Sequence, residues 1–229
     1  MTRRLAALMT GAAALAAPAS AAAAPALNPL KPCYVSIGVD PKTGDWITED
    51  VELSGIGFTP GSQVNIAVDG NTAATNVPID AAGNLPMATL QAPLQEKGER
   101  PFTVEVTDRN DPAQKATAQA MVTHLTYTLT PRRARFDRKV TYAGSGFTRL
   151  DRPVYAHYVL KGKVRRTMRL VAAPTGPCGT FSVKRRQFPF KPKVGRWVVQ
   201  LDQQKRYSRT PSTVYVVREV FVRRSQARR

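Results

Sequence analysis

Histidine is nearly missing from this chain, with His124 and His157 its whole supply. Zinc sites, catalytic triads and acid–base pairs built on imidazole have little raw material here. Cysteine is as scarce: Cys33 and Cys178 are too few for a disulfide framework and lack the clustered partners of a metal site. Beyond residue 24 no apolar run approaches the roughly 20 residues that span a bilayer as a helix. Carboxylates run short in one half only. Residues 132–229 carry 26 Lys+Arg against 4 Asp+Glu, whereas residues 1–131 carry 8 against 12, so the net charges are +22 and −4. A split of this size assigns an anionic partner to the back half and mere solubility to the front.

What the sequence does contain is a repeated stretch. Val51-Glu-Leu-Ser-Gly-Ile-Gly-Phe-Thr-Pro-Gly61 returns as Val140-Thr-Tyr-Ala-Gly-Ser-Gly-Phe-Thr148. Gly55, Gly57, Phe58 and Thr59 match Gly144, Gly146, Phe147 and Thr148 at a constant offset of 89, the mark of an internal duplication. Val51-Glu52-Leu53 and Val64-Asn65-Ile66-Ala67-Val68 alternate apolar and polar residues, as strands with one wet face do. Between them, glycines permit positive φ, Pro60 presets a turn, and Phe58 is placed to drop a ring into the end of a core. No helix pattern and no Gly-Lys-Ser/Thr follow Gly-x-Gly, so the motif reads as a turn closing a β-sandwich and not as a phosphate loop.

This strand pair, with the later Asp80-Ala-Ala-Gly-Asn84 turn, resembles the bacterial immunoglobulin-like (IPT/TIG-like) modules of secreted actinobacterial proteins over most of residues 33 to 223. The resemblance implies an all-β chain of two tandem immunoglobulin-like β-sandwiches and no catalytic residues, because such modules mostly serve as spacers or adhesion units. Gly55-Ile-Gly-Phe-Thr-Pro-Gly61 and Ala82-Gly-Asn84 are also similar to parts of the enediyne apoprotein sandwich, which implies a small-molecule carrier as the alternative function. The disulfide pairs of that family are absent.

Taken in order, the chain opens with a basic Arg3-Arg4, an apolar run from Leu5 to Ala17, Pro18 and small residues, which together read as a signal peptide over residues 1–24. Secretion, with cell-wall or cell-surface association, is the expected location. Residues 25–32 form a proline-punctuated lead-in. Leu30-Lys31-Pro32-Cys33 does not match a lipoprotein box, where small residues precede the cysteine. Module one spans 33–124, with strands expected at Cys33–Val39, Asp50–Ser54, Gln63–Val68, Ala73–Ile79, Leu85–Leu90, Phe102–Thr107 and Lys115–Thr123, and turns such as Asp40-Pro-Lys-Thr-Gly44 and Asp69-Gly70 between them. Module two spans 125–223, with strands expected at Leu125–Thr130, Lys139–Ala143, Val154–Leu160, Val164–Val171, Thr180–Arg185, Trp197–Leu201 and Ser212–Val222. Trp197 after Gly195 takes the place of Phe102 after Gly98. Residues 224–229 form a basic tail.

In Val164-Arg-Arg-Thr-Met-Arg-Leu170, strand periodicity sends Val164, Met168 and Leu170 inward and Arg165, Thr167 and Arg169 outward, with Arg166 the exception on the inner side. Phe181 and Val183 likewise point in while Ser182, Lys184 and Arg186 point out. If the two strands are neighbours in one sheet, Arg165, Arg169, Lys184 and Arg186 form a single basic face, bordered by Lys191, Lys193, Arg196, Lys205 and Arg206. Its expected partners are non-specific polyanions: an anionic cell-wall polymer such as teichoic acid, an acidic glycan or nucleic acid. Tyr155, Tyr158, Phe188, Phe190 and Tyr207, interleaved with these charges, are assigned to core or half-buried positions.

Asp108, Asn110 and Asp111 lack the spacing of a calcium loop and read as a solvated turn. Asp151 and Asp202 have no carboxylate partner, and Ser145 lacks the Gly-x-Ser-x-Gly elbow. No nucleophile, base and oxyanion set assembles, so the chain is read as a non-enzyme without cofactor or metal. For Cys33 and Cys178, export and an even count favour a bridge. With modules head to tail, however, Cys33 is expected at the pole of module one away from module two, beyond the roughly 7 Å limit on bridged α-carbons. The expectation is therefore no intramolecular bridge.

Overall fold

The computed structural model describes residues 24–39, 46–132, 134–210 and 214–223. Apart from Ala24, the signal-peptide reading lies outside the described residues, as do the 40–44 turn and the 224–229 tail. The chain is all-β. Its strands are β1 (Ala26–Leu27), β2 (Cys33–Val39), β3 (Trp46–Thr48), β4 (Asp50–Ile56), β5 (Gln63–Val68), β6 (Asn71–Pro78), β7 (Leu85–Gln91), β8 (Glu99–Asp108), β9 (Lys115–His124), β10 (Thr126–Thr130), β11 (Lys139–Ser145), β12 (Val154–Leu160), β13 (Lys163–Val171), β14 (Phe181–Arg186), β15 (Gly195–Asp202) and β16 (Tyr215–Val222).

The first sandwich packs sheet β1-β4-β7 against sheet β3-β2-β9-β8-β5-β6, and the second packs β10-β11-β14 against β13-β12-β15-β16. Setting β4 on β11 and β8 on β15 superposes the strand orders, with β6-β5-β8-β9 answering β13-β12-β15-β16. Only β2 and β3 have no counterpart among the described residues of the second sandwich. Each sandwich has its own core. Val51, Leu53, Phe58, Ile66, Phe102 and Val104 belong to the first, and Tyr127, Tyr142, Tyr158, Trp197 and Leu201 to the second.

A later glycine in each module, Gly83 and Gly179, has a steric role toward the phenylalanine of the repeated motif. A Cβ on Gly83 would lie 2.6 Å from the Phe58 carbonyl oxygen, and one on Gly179 would lie 2.0 Å from that of Phe147. Those close approaches let the Phe58 amide donate to the Gly83 carbonyl (3.0 Å) and the Phe147 amide to Gly179 (3.2 Å), while both rings stay buried. Truncating a ring so placed costs about 3–5 kcal/mol.

Two tight turns settle which sheet the fourth strand of each module joins. Asp69 and Gly70 both take positive φ (50° and 78°), as do Lys161 and Gly162 (52° and 74°). These are two-residue hairpin turns of the kind that fold the following strand directly back. β13 therefore pairs with β12 and not with β14, and the expectation that the strands carrying Arg165, Arg169, Lys184 and Arg186 neighbour each other in one sheet is not met. A shift of register between Tyr158 and Val159 also sets Val164 opposite Val159 and leaves it 41 % exposed, against the inward position expected of it.

Cys33 and Cys178 form a disulfide with α-carbons 5.1 Å apart, which corrects the expectation of no bridge. The reason is β2. After β1 pairs with β4, the chain crosses to the other sheet, where β2 runs parallel to β9 with Cys33 opposite Met121 and Ser36 opposite His124. A parallel partner of the last strand travels toward module two, so Cys33 sits beside the junction. Cys178 meets it from the β13–β14 connection, where its carbonyl accepts from the Gly146 amide.

More contacts follow from the same crossing. Val35 and Ile37 pack against the core of module two. The Thr123 and Ser145 hydroxyls lie 2.8 Å apart, and Lys31 Nζ donates to Thr148 Oγ1 (3.2 Å) while pairing with Glu49. Non-reducing digestion should yield one cross-linked peptide containing Cys33 and Cys178. Replacing both with serine should lower stability by about 2–5 kcal/mol in denaturant titration, the usual range for a bridge closing a long loop, here of 145 residues.

Candidate functional site

β13 and β14 are edge strands of opposing sheets, and they lie side by side along one flank of module two. Their register decides where each cation goes. Lys184 is opposite Thr141 and Arg186 opposite Lys139, on the outer surface of the three-stranded sheet. Arg169 is opposite Tyr155, on the outer surface of the four-stranded sheet, and Arg165 is the unpaired residue at the bulge. The four candidate residues thus divide between two surfaces that share a flank.

What joins them is a pair of arginines on core-facing positions. Arg166 lies opposite the buried Tyr158 and Arg185 opposite the buried Val140, yet both side chains emerge into water because their strands are at the edge. Arg185 Nη2 donates to the Leu170 carbonyl at 3.4 Å and so bridges the two edges. Arg165, Arg166, Arg169, Lys184, Arg185 and Arg186 are all exposed, and together they form a cationic ridge over the flank.

Among the described residues no ion pair engages this ridge. Of the four carboxylates behind residue 131, Asp137 pairs with Arg135, Glu219 with Arg196, Asp202 is buried elsewhere, and Asp151 is exposed on the β11–β12 connection. Lys139 and Arg186 stand directly opposite each other, a like-charge pairing that costs stability unless an anion relieves it. Of the expected bordering residues, Lys191 and Arg196 lie toward the far flank beside β16, while Lys205 and Arg206 are exposed on the β15–β16 connection. The aromatics are structural: Tyr158 and Phe188 are buried, and Tyr155, Phe190 and Tyr207 are half-buried. Burial pushes the phenol of Tyr142 up to about 12, and Tyr158, whose hydroxyl lies 3.1 Å away, is raised as well.

One row of groups, joined across separate segments, has the chemical types of a catalytic relay. Thr167 Oγ1 lies 2.9 Å from His157 Nδ1, and His157 Nε2 lies 3.2 Å from Asp202 Oδ1. Hydroxyl, imidazole and carboxylate in line invite comparison with a nucleophilic triad. His157 and Asp202 have no exposure, however, and Nε2 also contacts the Gln204 carbonyl at 3.1 Å. Asp202 further accepts from the Gln204 amide and from Gln200 Nε2, which itself donates to the Ser208 carbonyl. The row therefore works as a clamp holding the 203–210 connection against the sheet. Asp202→Ala should cost about 3 kcal/mol or more, since it strands several buried donors at once, and thermal unfolding of the purified variant measures it.

Asp108 is likewise a turn anchor. It accepts from Ser62 Oγ (2.7 Å) and from the Asn110 amide (2.9 Å). Burial works against its ionisation, but these hydrogen bonds hold its carboxyl below the usual range. Among the described residues no group of three or more histidine, cysteine or acidic side chains gathers to hold a metal.

No family model and no curated protein matches this chain. Solved structures do. A tetra-tandem repeat from the extending region of a large adhesion protein is 18 % identical, with 86 % of this chain and 49 % of that one covered and a TM-score of 0.28. A putative membrane-anchored protein from Corynebacterium diphtheriae is 11 % identical over 86 % and 57 %, TM-score 0.32. A 1.5-MDa bacterial ice-binding adhesin is 14 % identical over 86 % and 62 %, TM-score 0.30. The chain spans about half to three fifths of the length of these structures. Function therefore rests on the geometry of module two itself.

Proposed function

We propose that this chain is a non-catalytic, secreted or cell-wall-associated binding protein whose second module docks on an anionic polymer, with the first module as its spacer. The observation that carries the reading is the ridge on β13 and β14: six exposed cations on two adjoining edges, unpaired among the described residues. A ridge suits a linear polyanion better than a small ligand, because successive charges meet successive phosphates or carboxylates along its length. The bridge between Cys33 and Cys178 supports an exported, oxidising setting. Teichoic acid, acidic glycan and nucleic acid share the chemistry that the ridge would recognise.

Duplex DNA is the calibrated probe, because each phosphate contact there contributes about 0.9 to the slope of log affinity against log salt. The full chain should bind it at low salt and release it steeply as salt rises. Lys184→Glu with Arg186→Glu should weaken binding and flatten the slope by roughly 1.8, two contacts' worth, with a melting temperature no lower than the parent's, since Lys139 then faces an opposite charge. A chain that ignores polyanions at low salt defeats the proposal. So does a double variant that binds as before but aggregates, because the cations would then serve to keep bare sheet edges apart.

A further inference from the structure

The opposite flank of module two is built differently. In module one this flank is closed by β2, whose Tyr34 lies in the core edge-on to Phe102 with ring centroids 5.8 Å apart. In module two no described strand covers the outer edge of β16. A cleft of about 910 Å³ opens there, between β10 with the connection that follows it on one side and β16 on the other. That volume lies within the range of small-molecule sites, roughly 300–1,000 Å³.

The walls of the cleft combine two chemistries. Leu129, Phe136, Phe188, Val220 and Val222 make it apolar. Between them stands Arg218, which the register places opposite the buried Val199, on the core-facing side of the edge strand. Matching Trp197 to Phe102 makes Ala118, opposite Val104, its counterpart in module one. The same position therefore holds a methyl group where the flank is closed and a guanidinium where it is open. Arg218 is half-buried, and the neighbouring Glu219 is taken by Arg196. Burial raises the Tyr127 phenol inside the sandwich and nearby Tyr142 adds to the rise, while Arg218 opposes both, as a cation facing the interior should. Arg132, Lys191 and Arg223 add positive charge around the opening.

We propose that this cleft binds a small hydrophobic carboxylate, with its acyl or aryl body against Leu129, Phe136, Phe188 and Val220 and its carboxylate on Arg218. A guanidinium offers a planar pair of donors that fits a carboxylate and, set among apolar side chains, gains more from a charged partner than an exposed cation would. The site is separate from the polymer-binding ridge, so each stands or falls alone.

Isothermal titration of the full, disulfide-bonded chain with decanoate, decanol and decyltrimethylammonium tests the assignment. Decanoate should bind saturably at one site, decanol at least tenfold more weakly, and the cationic amphiphile not at all. Arg218→Gln should weaken decanoate at least tenfold and erase its advantage over decanol, while Lys184→Glu with Arg186→Glu leaves it unchanged. Val222→Trp, which adds bulk opposite Gly195, should block both decanoate and decanol and serves as the second variant if Arg218→Gln does not fold. Absence of saturable decanoate binding overturns the proposal, as does equal binding of decanoate and decanol. Native-like decanoate binding by either cleft variant does the same.

Discussion

The crossing of one short strand governs most of this architecture. β2 leaves the sheet where β1 began and joins the other one parallel to β9, and by doing so it performs two tasks. It seals the flank of module one, burying Tyr34. It also carries Cys33, Val35 and Ile37 to the junction, where a disulfide and a patch of core hold the second module. Covalent closure and apolar burial act at the same place, so the link between modules is a packed interface and not a hinge on a single peptide. Among the described residues module two has no such strand, and its own flank is open there.

Below that difference the modules share one frame. Gly83 and Gly179 are required by the close approach of a phenylalanine carbonyl, and Gly55 and Gly144 of the repeated motif by rings and backbone packed against them, whatever the surface carries. That frame tolerated a change of formal net charge from −4 in residues 1–131 to +22 in residues 132–229 because the described cations lie on edge strands, outer faces and connections. Even where strand periodicity turned an arginine inward, at Arg166, Arg185 and Arg218, the position is on an edge strand. An arginine on a central strand would have to leave its charge in the core, at a cost of several kcal/mol.

Much of the fold was legible in the sequence because alternation and turn residues are local signals. The strands at Cys33–Val39, Gln63–Val68 and Val154–Leu160 match the expected bounds, and most others differ by one to three residues at an end. What stayed hidden was which strands become neighbours. The hairpin turns at Asp69-Gly70 and Lys161-Gly162 contained the information, since two consecutive residues at positive φ force the next strand back on its predecessor. Missing that consequence merged β13 and β14 into one sheet and made a ridge look like a face. The disulfide was misjudged because Cys33 was placed at the pole of module one away from module two, whereas a two-residue β1, too short to register as a strand, precedes β2 and β2 runs parallel to β9 beside the junction. The clamp on His157 joins Thr167, Asp202 and Gln204 across three segments, and no local pattern marks such a grouping.

The arrangement of charge around module two follows from where a sandwich can hold it. Interior positions exclude unpaired cations, and the outer surface of the four-stranded sheet is partly occupied by the 203–210 connection that His157 and Asp202 fasten down. The two flanks remain, one of them continuous with the outer surface of the three-stranded sheet. One presents edges whose cations repel one another, most directly at Lys139 and Arg186, so the free module stores electrostatic free energy that a polyanion would release on binding. The other presents one half-buried guanidinium among apolar side chains, with Arg132, Lys191 and Arg223 around the opening, and the unmet demand inside it is for one partner anion. Repulsion spread along an edge favours a long ligand with many charges, and a lone buried-side cation favours a short one with a single charge. The same excess of arginine and lysine therefore sets two different requirements, according to whether the flank it reached was crowded or open.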